Sequence, residues 1–238
     1  ALGLWTTALT LDHQKGRWAG VSPCRGAARP GVPGAEDTEL CDPARINALD
    51  RALQPPFWRA AAPISDGLLL GMLATPLAVS GYQSAEGGID FSRDVAVAGQ
   101  VLGATALTTV ALKFIVRRPR PLTYDPRFDA QARLKGDARL SFPSGHTSLV
   151  FASASFIAAT AVRRATGGAR IAAIASAYGA ATLVAYLRMA SRRHFFSDVL
   201  AGAGIGTAYG WLIPELHGTQ ATTGREEAPL MLSFGGQF

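Results

Sequence analysis

Three short motifs hold the residues of this chain that could do chemistry. Lys113 is followed, after six residues, by Arg120-Pro121; Pro143-Ser144-Gly145-His146 comes next; Arg188 is followed after five residues by His194 and after three more by Asp198. Together they supply cations, two imidazoles, a carboxylate and a Ser-Gly turn at a helix start. Such a set can bind a phosphate dianion, attack it and protonate its leaving group. Each motif alone is weak.

Each residue also has an ordinary explanation. Lys113 lies inside an apolar stretch, as a snorkelling lysine near a helix end would; as a site residue it is a cation on a phosphate oxygen. Arg120 has proline on both sides, and a stiffened guanidinium fork can hold phosphate through two bonds. The neighbouring Arg117, Arg118, Arg127 and Arg133 read as solvated loop arginines. Ser144 is a favoured helix N-cap, but a helix start also offers free N–H groups to an anion, and Gly145 lets a ligand approach the backbone. His146 then faces the bound phosphate and suits a general acid. Arg188 ends an apolar stretch, where an arginine also serves the helix dipole. His194 and Asp198, four apart, share a helical face: either a plain ion pair, or a carboxylate that accepts from one ring nitrogen and leaves the other as nucleophile. Gly202, Gly206 and Gly210 continue that face at fourfold spacing, which permits close helix packing. His13 and His217 have no partner motif and read as structural or surface residues. The surrounding cations argue against a metal, since they repel a divalent ion and attract an anion.

Five apolar stretches must position these groups, near 63–82, 95–116, 146–163, 170–190 and 197–213. All exceed strand length and lack period-two alternation, so they read as helices. The expected fold is all-α, an antiparallel bundle of about five to six core helices with an irregular N-terminal segment. With 95–116 running up, 146–163 down, 170–190 up and 197–213 down, all three motifs meet at one end. Residues 1–55 read as an N-terminal extension, 56–216 as the helix-bundle domain and 217–238 as a polar tail. Residues 1–11 could be the tail of a trimmed helix, and Pro43–Leu53 a short amphipathic helix with Ile46, Leu49 and Leu53 on one face. Loop 83–94 reads as exposed and acidic.

The chain has 238 residues and a net charge of +6, with arginine far in excess of lysine. That favours phosphate-bearing partners or anionic lipid heads. The basic residues do not interleave with aromatics, so nucleic acid is not expected. Nearly half of the residues are apolar, yet mean hydropathy is only mildly positive. Stretches 63–82, 95–116 and 170–190 are long enough to span a bilayer; Asp66 and Gln100 inside two of them are tolerable if they face the bundle, and 146–163 is a mediocre span. Arg163, Arg164 and Arg170 flank the turn opposite the motifs, which fits a site on the outer side of a membrane. The two cysteines, Cys24 and Cys41, either close a disulfide, implying an oxidising compartment, or remain free thiols.

The motifs resemble the signature of the phosphatidic acid phosphatase type 2 / vanadium-dependent haloperoxidase superfamily: K-x6-R-P, P-S-G-H and S-R-x5-H-x3-D. Every position matches except Leu187, where serine is usual before the arginine. The resemblance covers roughly residues 60–213. It implies a phosphatase that needs no metal or cofactor, acts on a phosphate monoester or pyrophosphate (lipid phosphate or small phosphate ester), and works through a phosphohistidine. Lys113, Arg120 and Arg188 would hold the phosphate with Ser144 and the Gly145 amide. His194 would attack, His146 would protonate the leaving group and then activate water, and Asp198 would orient His194. Vanadate would bind as an inhibitor. A haloperoxidase that holds vanadate in the same pocket is the alternative; a cell-envelope location, membrane-embedded or membrane-bound with the site facing the periplasm, is expected, with a soluble periplasmic protein as the other case.

Overall fold

The computed structural model describes Cys24, residues 40–85 and residues 90–218. The expectations for residues 1–11, His13, the tip of loop 83–94 and the tail beyond residue 218 lie outside the described residues. All regular elements among the described residues are helical. A 3-10 turn at Pro43–Arg45 precedes the short α1 (Ala48–Ala52). The long helices are α2 (Ala61–Ala85), α3 (Phe91–Val116), α5 (Gly145–Arg164), α6 (Gly167–Ala190) and α7 (Phe196–Leu216); a 3-10 turn at Pro121–Tyr124 and the short α4 (Ala130–Arg133) lie in the loop between α3 and α5.

Local chemistry sets the ends of these helices. Asp90 caps α3, its Oδ1 accepting from Ser92 N at 2.9 Å and Arg93 N at 3.2 Å. Arg117 ends that helix in the left-handed region, at φ 50°. Ser144 caps α5. Gly167, the first residue of α6, stands at φ 55°, a conformation glycine adopts at no steric cost.

α5 is the central helix. It packs against α2, α3, α6 and most extensively α7, and most of its side chains are buried. Val150, Ala154 and Ile157 meet Met72, Ala177, Ala181 and Val184 on one side; Ala152 and Phe156 meet Val97, Ala98 and Val101 on the other. The α5–α7 contact is made by glycine: a Cβ at Gly202, Gly206 or Gly210 would run into the α5 backbone. The fourfold glycine spacing thus marks a helix seam, as expected.

At the end of the bundle opposite the three motifs, ion pairs staple the helices together. Arg164 donates to Asp94 Oδ2 at 2.6 Å and to Gln83 Oε1 at 2.8 Å, and Arg163 to Glu215 Oε1 at 2.5 Å. Asp94, expected in an exposed acidic loop, is a buried residue in the first turn of α3. Two of the three arginines credited to the positive-inside pattern are therefore neutralised by partners on neighbouring helices. Gln100 binds the ring of His217, its Oε1 2.6 Å from Nε2.

Four helical segments, Ala61–Ala85, Phe91–Tyr124, Gly145–Arg164 and Gly167–Ala190, are long and apolar enough to cross a membrane. The outer helices leave Leu70, Leu77, Ile115, Ile171 and Leu183 exposed, a distribution that suits lipid contact better than water. The Gly145–Arg164 helix, read from sequence as a poor span, is the one most enclosed by protein; its serines and threonines are buried inside the bundle rather than turned to lipid.

Candidate active site

The three motifs meet at one end of the bundle, around a cavity of about 450 Å³. Its wall combines Lys113 of α3, Arg120 of the following loop, Gly145 and His146 at the start of α5, Arg188 at the end of α6, and His194 in the bend before α7. The Lys113 Nζ donates to Leu140 O at 2.8 Å. Arg120 is held by Asp137, from Nε to the carbonyl at 2.9 Å and from NH2 to the carboxylate at 3.1 Å. Arg188 NH1 donates to Ser65 Oγ at 3.1 Å and to Asp66 Oδ1 at 3.0 Å. Two buried polar atoms on this cavity, Arg188 Nε and Thr109 Oγ1, have no hydrogen-bond partner among the described residues. A buried donor left unmade is costly, and a ligand oxygen would relieve it.

His194 is almost completely buried. Its Nδ1 lies 2.8 Å from the carbonyl oxygen of Ser141. A carbonyl can only accept, so Nδ1 carries the proton and Nε2 keeps its lone pair. Burial, then the positive charges of Lys113, Arg120 and Arg188, hold the ring well below the usual imidazole range. His194 is thus a neutral imidazole of fixed tautomer at ordinary pH.

The expected helical pairing of His194 with Asp198 takes a different form. His194 precedes the α7 N-cap, Phe195, and does not share a helical face with Asp198. The Asp198 Oδ2 stands 3.8 Å from Nδ1, beyond a hydrogen bond. That oxygen accepts from Ser141 Oγ at 2.5 Å and from Phe195 N at 2.8 Å. Asp198 therefore fixes the two residues that hold the ring, Ser141 and Phe195. Ser144 also departs from expectation. It is buried and off the cavity wall, its Oγ accepts from Thr147 Oγ1 at 2.9 Å, and its N–H donates to Asp198 O at 3.0 Å. It caps α5 and ties it to α7.

A model of the PAP2 superfamily matches residues 94–221, more than half of the chain. The chain belongs to the PAP2 superfamily. No curated protein and no solved structure matches it. Membership implies phosphatase- or haloperoxidase-type chemistry. Leu187, the one departure from the family pattern, packs with Ala61 and Ala190 in an apolar cluster away from the cavity. The missing serine hydroxyl removes nothing from the cavity wall.

Several residues in and around this cavity were not singled out from sequence. Asp66 Oδ1 accepts from His146 Nε2 at 2.7 Å as well as from Arg188, so one carboxylate oxygen spans two groups expected to face phosphate. The signal was an acidic residue inside an apolar stretch. Arg118, read as a solvated arginine, bridges Asp50 at 2.5 Å and Asp198 at 2.7 Å, and lies 4.3 Å over the Phe195 ring. It shares Pro119 with Arg120, and the same backbone stiffness was the available clue. Arg133 is likewise buried, and Arg127 is paired with Asp125 at 2.6 Å. Nothing in the sequence marked Ser141, whose carbonyl sets the His194 tautomer.

The N-terminal segment reaches this end too. Cys24 and Cys41 form a disulfide with Cα atoms 5.2 Å apart, and Cys41 N donates to Thr123 O at 2.9 Å. The helix near Pro43–Leu53 docks by another face than its pattern implied: Leu49 and Leu53 are exposed and Asp50 is fully buried. Burial pushes the Asp50 carboxyl up, but hydrogen bonds from Arg118, Ser197 and Asn47 outweigh this and lower it.

Proposed function

We propose that this PAP2 protein is a phosphatase that hydrolyses a phosphate monoester or pyrophosphate through a phosphohistidine on His194, without a metal or cofactor. The observation that carries the reading is one cavity walled by two imidazoles and the cations of Lys113, Arg120, Arg188 and Arg193, with the tautomer of His194 set by Ser141 O. Lys113, Arg120, Arg188 and the Gly145 amide bind the phosphate oxygens and stabilise the charge of the transition state. The phosphate takes the place of Asp66 on Arg188 and satisfies its Nε. His194 Nε2 attacks phosphorus, the P–O bond to the leaving group breaks, and His146 gives that oxygen a proton. Neutral His146 then takes a proton from water, the water oxygen attacks phosphorus, and the P–N bond breaks to release inorganic phosphate. Asp198 supports the imidazolium formed on the way, acting through Ser141 and Phe195.

Lipid phosphates are the favoured substrates. The cavity continues from the cations onto Leu69, Ala106, Val110 and Leu149 of α2, α3 and α5, a wall suited to the apolar chain of a leaving group. The chain's positive charge supports contact with anionic headgroups. The disulfide lies at the catalytic end of the molecule, which supports an envelope location with that end facing an oxidising periplasm.

The test is hydrolysis of an aryl phosphate and of a long-chain phosphatidate in mixed micelles by the detergent-solubilised full chain. His194→Ala is expected to lose at least about 10³-fold in kcat, and vanadate to inhibit the wild-type protein. Full activity in His194→Ala overturns the phosphohistidine; halide oxidation by peroxide after adding vanadate assigns the site to haloperoxidase chemistry instead. Faster turnover of the aryl ester than of the lipid removes the lipid preference alone.

A further inference from the structure

A buried ionic network runs from α1 to Asp198 at the catalytic end through Asp50, Ser197 and Arg118, which were not singled out as motif residues. It begins with a deficit. α7 opens on Phe195, a side chain with no oxygen to offer the free amides of a helix start. Asp198 reaches back to Phe195 N, which leaves the amide of Ser197 to be satisfied from elsewhere. Asp50 does so from 147 residues away: its Oδ1 accepts from Ser197 N at 2.8 Å and its Oδ2 from Ser197 Oγ at 2.8 Å. Asn47 Nδ2 holds the same carboxylate at 2.6 Å. Arg118 then closes the network, with NH2 on Asp50 Oδ2 at 2.5 Å and NH1 on Asp198 Oδ1 at 2.7 Å and Ser197 Oγ at 2.6 Å. Both carboxylates are fully buried, so one guanidinium balances two charges that have no water to fall back on.

The geometry points to Asp50 as a positioning residue for the hydrolysis proposed above: by capping α7 and sharing Arg118 with Asp198, it holds His194 in the place from which it attacks. The path has few links. Asp50 fixes Arg118 and Ser197, these fix Asp198, Asp198 fixes Ser141, and the Ser141 carbonyl holds the nucleophile's ring. Lys113 and Arg188, which bind phosphate, hang from α3 and α6, and Arg120, although two residues from Arg118, is held by Asp137. Loss of Asp50 is therefore a loss of alignment and not of substrate binding. Asp50 also lies outside the stretch that matches the PAP2 model, so a segment peripheral to the family match completes the site.

The proposal rests on the phosphatase reading, and the test separates the two. Asp50→Asn turns an amide onto a cluster of donors and leaves Arg118 with one carboxylate. It is expected to lower kcat for an aryl phosphate by about 10- to 100-fold, as sub-ångström to ångström misplacement of a nucleophile does, with KM within about threefold of wild type. Arg118→Gln should give a similar loss, and the double variant should be no slower than the slower single one, because the residues act as a unit. An unchanged kcat, a loss confined to KM, or losses that multiply overturn the proposal. If Asp50→Asn does not fold, Ser197→Ala removes one hydroxyl link and leaves the amide on Asp50. It should cost about 3- to 10-fold in kcat at constant KM, and a wild-type kcat there overturns the proposal as well. Inactive His194→Ala beside fully active Asp50→Asn and Ser197→Ala sinks the positioning role alone; active His194→Ala sinks the phosphatase reading.

Discussion

Replacing Gly202 with alanine adds one methyl group at the seam that carries the bend holding His194. A Cβ there would stand 2.7 Å from Ser144 O, with Ser148 Oγ at 3.1 Å and Ser148 N at 3.2 Å. The nearest atom is backbone, so no side chain can rotate aside. Moving from 2.7 Å to the 3.4 Å of ordinary contact requires about 0.7 Å of separation between α5 and α7 at this point. Overpacking of this kind costs about 1–3 kcal/mol, offset by at most about 1 kcal/mol of helix propensity gained on leaving glycine. The displacement falls one turn from Asp198 and directly on Ser144, whose N–H is bonded to Asp198 O at 3.0 Å. Since about 1 Å of misplacement costs on the order of 10²-fold in rate, kcat should drop by tens of fold. Gly204 is the control. It lies on the same helix with nothing within 4 Å of its added Cβ, so Gly204→Ala should be neutral or up to about 1 kcal/mol more stable, with wild-type kcat. Thermal unfolding in detergent and aryl phosphate turnover of both variants read this directly. Wild-type stability and activity in Gly202→Ala, or equal damage in Gly204→Ala, refutes the reasoning.

Three further outcomes follow from the same geometry. Arg164→Ala strands the buried Asp94 carboxylate and should destabilise the bundle by about 3 kcal/mol while KM stays unchanged; a melting temperature equal to wild type contradicts it. Asp66→Asn removes the negative charge that spans His146 and Arg188, so vanadate should bind about 3- to 10-fold more tightly while kcat falls; weaker vanadate inhibition counts against the proposal that phosphate displaces this carboxylate. His194 must be neutral to attack, and its burial beside Lys113, Arg120, Arg188 and His146 lowers its pKa. Protonation then becomes limiting only well below pH 6.5, and an acid-side midpoint of kcat/KM at or above 6.5 that persists in His146→Gln is the contrary result.

Much of the site was legible because its chemistry is local in type though not in space. Lys113, Arg120, Gly145, His146, Arg188 and His194 all line the cavity, and each sits at a helix end or in the loop just beyond one, where apolar periodicity gives way to charge. The helix order then brings those ends together by short antiparallel connections. What escaped is where side chains find partners. The interval between His194 and Asp198 looked helical, but the helix begins at Phe196, so the carboxylate reaches the ring only through Ser141 and Phe195. Ser144 was read as a phosphate ligand, yet its hydroxyl faces Thr147 inside α5. Arg118 looked like one loop arginine among several, because a buried bridge between two distant carboxylates leaves no periodic trace.

The order of helices, the glycine seam of α7 and the residue types at the cavity end are set by the linear chain, because period, turn residues and charge placement act over a few neighbours. The tautomer of His194, the capping of α7 by Asp50 and the pairing of Asp66 with His146 were decided only by folding. Each depends on groups scores of residues apart meeting within about 3 Å, and hydrogen bonds of that reach are specified by tertiary packing, not by spacing along the chain.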